Sequence, residues 1–281
     1  MALTFRDYSE DQVSAAKSVL LELVRLLGDY RDDIVVVGGW VPELILPAYP
    51  NRHVGTIDVD LALNHTSLQE AGYETIRRLL LKRGYEPHEQ QPFIFFRTMS
   101  IEGKPIRVEV DFLAGEYGGT GRSHRTQRIL DTRARKARGC DLAFEMHTQV
   151  RVEGALPEGG RDSATVLVAS IVPFLVMKGM ALHERLKEKD AWDIYFAMTN
   201  YPGGVDALVA ETLPHVGDSL VREGLEKIGE KFASPEHAGP TFVADFEDVH
   251  DPDQRPLLMR DAFERINYFL RKLGFRSGGS A

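Results

Sequence analysis

Asp58 and Asp60 are separated by one residue in the run Thr56-Ile57-Asp58-Val59-Asp60-Leu61-Ala62-Leu63. On a β-strand two such side chains point to the same face, roughly 6.5–7 Å apart along the backbone. Aspartate is disfavoured in strands, and like charges on one face repel. A divalent cation between the carboxylates removes both objections. Mg²⁺ takes oxygen ligands and shares them with substrate phosphates. A second alternating run, Arg107-Val108-Glu109-Val110-Asp111, places Glu109 and Asp111 on one face. If that strand lies beside the first, Asp58, Asp60 and Asp111 form the metal ligands of a two-metal phosphoryl or nucleotidyl transfer. The competing reading of the Asp58/Asp60 pair is the polar face of an edge strand.

Gly38-Gly39 follows Ile34-Val35-Val36-Val37 and precedes a short helical pattern over 40–46. Glycines at such a turn let a phosphate approach backbone N–H groups closely. Many strand-to-helix turns carry paired glycines for steric reasons alone. Trp40 offers an indole for base stacking, although packing is the default for such a residue.

These residues need a scaffold. Apolar spacing predicts a helix over 9–28, a strand over 34–37, a strand over 56–63 and a helix over 67–82 capped by Thr66 or Ser67. Strands over 93–98 and 106–113 flank Glu102-Gly103-Lys104 as a hairpin, and 141–153 reads as further strand. From Ser170 the pattern turns helical, with helices to about 187 and over 191–199, 205–213, 217–232 and 255–273. The expected fold class is α+β: a mixed β-sheet with flanking helices in a domain over 1–168, then a helical bundle over 169–281.

Lys178, Leu182, Arg185 and Lys189 are spaced by four, three and four residues, one stripe if a single helix runs that far. A solvated face explains such a stripe, but Lys178 sits within the apolar run Val172–Met180, which points to function. Asp190 and Asp193 fit either an active-site acid or an N-cap with an acid at the third helical position.

Together, Val37-Gly38-Gly39-Trp40, Thr56-Ile57-Asp58-Val59-Asp60-Leu61 and Val110-Asp111-Phe112 resemble the DNA polymerase beta superfamily of nucleotidyltransferases. The segment from Lys178 to Tyr195 resembles the lysine helix and the Lys-Asp-x-x-Asp helix of the AbiEii group, toxins of type IV toxin–antitoxin systems and their relatives. The resemblance implies that Asp58, Asp60 and Asp111 bind Mg²⁺ and that Asp111 is also a candidate base. It implies that Gly38 and Gly39 hold the β- and γ-phosphates of an NTP, that Lys178 contacts the triphosphate, and that Asp190 is a further active-site acid. It also implies an RNA acceptor such as a tRNA 3′ end, and an antitoxin partner. Three departures stand out. The interval from Gly39 to Asp58 is long, so that 47–55 reads as a lid or an extra contact. Gly-Gly replaces the common Gly-Ser. Val54 stands where relatives carry Arg, leaving Arg52 or His53 to substitute.

The net charge of −8 argues against a protein that binds nucleic acid over its whole surface. Locally, Arg122, Arg125, Arg128, Arg133, Arg135, Lys136 and Arg138 face one acid, Asp131. That segment is either a grip on an RNA backbone or a solvated loop or helix. His53, His65 and His124 lack metal-ligand spacing and receive no chemistry. The single cysteine, Cys140, excludes a disulfide framework within the chain and a cysteine-cluster zinc site, and fits a reducing cytoplasm. No apolar leader opens the sequence, and no run approaches the ~18 apolar residues of a spanning helix. Two other functions remain open. One is a small-molecule adenylyltransferase, such as an aminoglycoside-modifying enzyme. The other is a catalytically inactive binding or regulatory member, against which the retained aspartates and Lys178 argue.

Overall fold

The alternation that pairs Asp58 with Asp60 also gives the strand Asp58–Leu63 its apolar back, and the sheet is built around that back. The computed structural model describes residues 4–46, 52–64, 70–115, 126–129 and 132–275. Two compact units divide the chain: Tyr8–Ile45 with Gly55–Ser170, and Met1–Asp7 with Leu46–Val54 and Ile171–Ala281. The second unit thus takes in two short stretches, one of them around His53, besides the C-terminal helices.

The first unit begins with α1 (Glu10–Leu26), opened by a capping box in which Ser9 and Gln12 satisfy each other's backbone N–H. There follow β1 (Ile34–Val37), α2 (Trp40–Ile45), β2 (Asp58–Leu63), α3 (Glu70–Lys82), β3 (Glu86–Pro87), β4 (Ile94–Ile101) and β5 (Lys104–Ala114). Then come β6 (Thr126–Ile129), β7 (Thr132–Lys136), α4 (Leu142–Glu145), β8 (His147–Ala155) and β9 (Arg161–Ala169). The sheet order is β3-β4-β5-β2-β1-β9-β8, with the β6–β7 hairpin attached to the end of β5. Neighbours β1–β9, β2–β5 and β5–β7 are parallel and the other pairs antiparallel, so the sheet is mixed. Helix α1 covers one face. Its Leu23 and Val24, with Leu27 at its C-cap, line a small cavity with Val36 and Leu61; Val59 and Leu61 are buried, and strand alternation turns Asp58 and Asp60 to the opposite face.

A buried carboxylate fastens α1 to the sheet. Glu22 accepts hydrogen bonds from Arg83, Tyr85 and Arg97. Burial raises the pKa of Glu22, but those three donors outweigh it and hold the carboxyl below its ordinary range. The β4–β5 hairpin turns through Glu102 and Gly103, both at left-handed φ (50° and 79°), as a two-residue hairpin whose twist matches its strands.

The second unit is helical: α5 (Ile171–Arg185), α6 (Glu188–Asn200), α7 (Gly204–Thr212), α8 (Ser219–Lys231), α9 (Ala238–Phe246) and α10 (Gln254–Lys272). Phe174, Phe232, Phe246 and Phe269 are fully buried in it. Helices α5 and α8 touch where Gly179 meets Gly224; a Cβ on Gly179 would lie 2.3 Å from the Gly224 carbonyl oxygen. Among the described residues no helix is long and apolar enough to cross a membrane.

The α+β class is as expected, with corrections of detail. The stretch 141–153 is not all strand, since α4 occupies Leu142–Glu145 before β8 begins; a single helical turn is too short to leave a periodic signal. Strand β9 and helix α9 were not anticipated. Pro240 lies within α9, in the first turns where it displaces no essential donor. The expected caps Thr66 and Ser67 fall outside the described residues, as do His65 and His124.

Candidate active site

In the sheet unit the register assembles the acidic face. Strands β2 and β5 run parallel with Asp58 opposite Glu109 and Asp60 opposite Asp111. Residues in register share a face and lie about 4.8 Å apart between strands. Four carboxylates therefore occupy a two-by-two block, of which Asp111 is buried and Glu109 exposed. Glu109 has Phe96 opposite it on β4, and the Arg107 guanidinium stacks 3.6 Å from the Phe96 ring centroid at the outer edge of this block.

Neighbouring residues hold the first two aspartates. Trp40 donates its indole N–H to the Asp58 carbonyl oxygen at 2.8 Å, and Thr56 donates its hydroxyl to Asp58 Oδ1. Trp40 is 1% exposed, so it packs rather than presenting a stacking surface. Gly38 has φ +68°, and a Cβ there would stand 2.0 Å from Asp60 Oδ2. The glycine is required on both counts: backbone conformation and room for the carboxylate. Cys140 is buried close by. Burial first, then the charges of Asp141, Asp60 and Asp111, push its thiol well above the ordinary range. Asp141 itself sits with its carboxylate where a Cβ of Gly115 would point.

The donor set suits a hard divalent cation, because it offers only oxygens and Gly38 leaves space for the Asp60 carboxylate. Among the described residues no group of three or more His, Cys, Asp or Glu stands at cation-holding geometry. The backbone register brings the carboxylates to one patch of the sheet.

In the helical unit the structure assembles a second cluster. Lys178 is buried, with Nζ 2.8 Å from Asp190 Oδ1 and 2.6 Å from Asp193 Oδ2. Arg185 grips Asp190 through two hydrogen bonds, Nε to Oδ2 at 2.7 Å and a terminal nitrogen to Oδ1 at 2.8 Å. Lys189 reaches both oxygens of Asp193 at 2.9 and 3.2 Å. Burial disfavours the Lys178 ammonium, but Asp190 and Asp193 outweigh it and raise the lysine above its ordinary range. Burial likewise opposes both carboxylates. Lys178 and Arg185 nonetheless hold Asp190 below its usual range, and Lys178, Lys189 and His53 hold Asp193 well below it.

The structure departs from the sequence expectations here. The stripe from Lys178 to Lys189 is not one helix: α5 stops at Arg185, Leu186 takes a left-handed φ of 48°, and α6 restarts at Glu188. That break lets Arg185 turn back onto Asp190. Asp190 is not a cap, since Lys187 takes the N-cap position and Asp190 is the third residue of α6, in its first turn. Asp193 is fully buried at the centre of the cluster. His53, read as isolated, has Nε2 2.9 Å from Asp193 Oδ1. A charged triplet inside apolar helices signals Lys178, Asp190 and Asp193; nothing local signals His53.

The basic segment is partly visible. Arg122, Arg125 and Asp131 lie outside the described residues. Arg128, Arg133, Arg135 and Lys136 fall on the β6–β7 hairpin, and β7 extends the parallel pairing at the end of β5 (Leu113 with Arg135, Ala114 with Lys136).

A family model described as nucleotidyl transferase AbiEii toxin, type IV TA system, matches residues 23–270. No curated protein and no solved structure matches the chain.

Proposed function

Since the chain belongs to the AbiEii family of nucleotidyl transferase toxins, we propose that it transfers a nucleoside monophosphate from an NTP to an acceptor hydroxyl in a Mg²⁺-dependent reaction. The observation that carries this reading is the parallel register that sets Asp60 beside Asp111, with Gly38 against the Asp60 carboxylate.

Asp58, Asp60 and Asp111 would hold the metal, which when bound supplies charge neutralisation on the triphosphate. Asp111 accepts the proton of the attacking hydroxyl. The new bond joins that oxygen to the α-phosphorus, the bond between the α-phosphorus and its bridging oxygen breaks, and pyrophosphate leaves. Gly38 and Gly39 present backbone to the β- and γ-phosphates. Lys178 contacts the triphosphate: an ammonium has three N–H donors, and Asp190 and Asp193 take two. Asp190 keeps the lysine charged. Catalysis of this kind is mostly positioning and electrostatics.

RNA is the proposed acceptor, a tRNA 3′ end in particular. Support comes from the toxin family and from the cationic run 122–138 in a chain of net charge −8. An antitoxin protein is the proposed partner, and the cytoplasm the proposed compartment. The test is incubation with each labelled NTP, Mg²⁺ and total RNA, beside a doubly substituted Asp58→Ala, Asp60→Ala protein. Label in RNA from the wild type alone supports the reading. Label only in a small-molecule acceptor such as an aminoglycoside redirects it, and no label in any acceptor refutes it.

A further inference from the structure

His53 and Asp193 are 140 residues apart in sequence, and their side chains are 1% and 0% exposed. Asp193 is an acceptor when ionised, so the ring nitrogen facing it, Nε2, carries the proton and donates. Trp192 and Phe196 enclose the imidazole, with ring centroids 5.0 and 4.9 Å away. One hydrogen bond and two ring contacts therefore fix both the place and the rotation of His53.

This matters because of what Asp193 must do. Its Oδ2 takes Lys178, and Lys189 reaches both of its oxygens. The terminal torsion of an aspartate is broad, so two lysines alone leave the carboxylate plane poorly determined. The His53 donor pins Oδ1, which leaves Oδ2 for Lys178. We propose that His53 is a positioning residue that fixes the carboxylate of Asp193 and, through it, the ammonium of Lys178; the catalytic meaning of this role rests on the nucleotidyltransferase reading above.

The ring does this as a neutral donor. The charged groups facing it are Asp193 and Lys189 from α6 and Lys178 from α5. Burial, then Lys189, depress its pKa; Asp193 partly offsets them, Lys178 depresses it further, and the outcome is about 4. At pH 7 the cluster therefore holds three cations (Lys178, Arg185, Lys189) against two carboxylates, an excess suited to an anionic substrate.

The experiment compares full-length wild type with His53→Gln, His53→Phe and Asp193→Asn. Glutamine keeps an N–H donor at comparable reach. Phenylalanine keeps the ring packing and loses the donor. With labelled NTP, Mg²⁺ and total RNA, His53→Phe lowers kcat by about 10- to 100-fold, the scale of a small misplacement of a catalytic group. His53→Gln recovers most of that loss while the two variants share one thermal midpoint. A wild-type rate in His53→Phe overturns the proposal. So does an equal loss in both variants that tracks their loss of stability. Should His53→Phe fail to fold, His53→Asn, whose amide is too short to reach Asp193, replaces it.

A second arm does not need catalysis. Nitrogen-15 NMR of histidine- and lysine-labelled protein reads the His53 tautomer and the Lys178 ammonium. Protonation at Nε2 in the wild type, lost order at His53 in Asp193→Asn, and a displaced Lys178 resonance in His53→Phe support the proposal. An unmoved Lys178 resonance overturns it even if the wild type transfers no nucleotide, in which case the nucleotidyltransferase reading fails separately.

Discussion

Lys178 Nζ lies 2.6 Å from Asp193 Oδ2, and Lys178 is the middle member of a charge chain that runs Arg185, Asp190, Lys178, Asp193, Lys189. Each carboxylate is shared between two cations, and Lys178 is shared between two carboxylates. The pair ties α5 to α6 across the turn at Leu186. Buried charges of this kind tolerate exchange for a well-packed apolar set better than loss of one partner. Arg185, with 39% of its side chain exposed, is the cation of the chain most open to solvent.

Lys178→Met leaves Asp190 and Asp193 buried with one cation fewer. It destabilises the protein by about 3–5 kcal/mol, the cost of an uncompensated buried charge. Asp193→Asn is destabilising too, and the double variant costs less than the two losses added, since each single change already breaks the shared contact. Urea unfolding of the three proteins measures this.

The acidic face behaves in the opposite sense. Asp60→Asn relieves like-charge repulsion, so metal-free protein keeps or raises its thermal midpoint, while transfer falls on the order of 10³-fold, equivalent to several kcal/mol of lost charge stabilisation. Mg²⁺ raises the midpoint of wild type and not that of the variant. Calorimetric scans with and without Mg²⁺, set beside a transfer assay, separate the two effects.

Gly38→Ala places a methyl group 2.0 Å from Asp60 Oδ2 on a backbone of φ +68°. The left-handed conformation alone costs about 1–2 kcal/mol for an L-residue. The displaced carboxylate adds a loss of transfer larger than the loss of folded fraction explains. Gly38→Ala, assayed well below its own unfolding temperature, shows whether activity and stability part company.

His53 gives the protein a pH signature. Its folded pKa, about 4, lies below the ordinary 6.5, so the unfolded chain binds the extra proton first. Stability from this group is present above about 6.5 and is lost as pH falls toward about 4, at a slope of no more than about 1.4 kcal/mol per pH unit. Asp190 and Asp193, both lowered, add their own loss only below the ordinary carboxylate value of about 3.9. Lys178, raised, keeps its contribution below about 10.4 and loses it as pH rises through its higher folded value. Urea unfolding at pH 7 and 5 shows the histidine slope in wild type, and His53→Phe removes it.

Cys140 is fully buried and its thiol is pushed up by burial and by three aspartates. The thiolate is the reactive species, so iodoacetamide leaves native protein unmodified at pH 8 and labels it quickly in denaturant. Mass spectrometry reads the difference.

What the sequence by itself determined is local. Alternation placed Asp58 with Asp60 and Glu109 with Asp111, because the period of a strand is a property of its own backbone. The same is true of α1, of the Glu102-Gly103 hairpin and of the passage from sheet to helices near Ser170, each marked by its apolar spacing or turn chemistry. The sequence also suggested that an unusual lysine sits in an apolar helix. Only the tertiary structure decided the register that sets Asp60 against Asp111, since nothing within either strand states which residue it will face. It decided that the Lys178 helix breaks at Leu186 and returns Arg185 to Asp190. It decided, above all, that His53 meets Asp193. That contact joins positions far apart in the chain through packing against Trp192 and Phe196, and packing is a sum over the whole core that no local window contains.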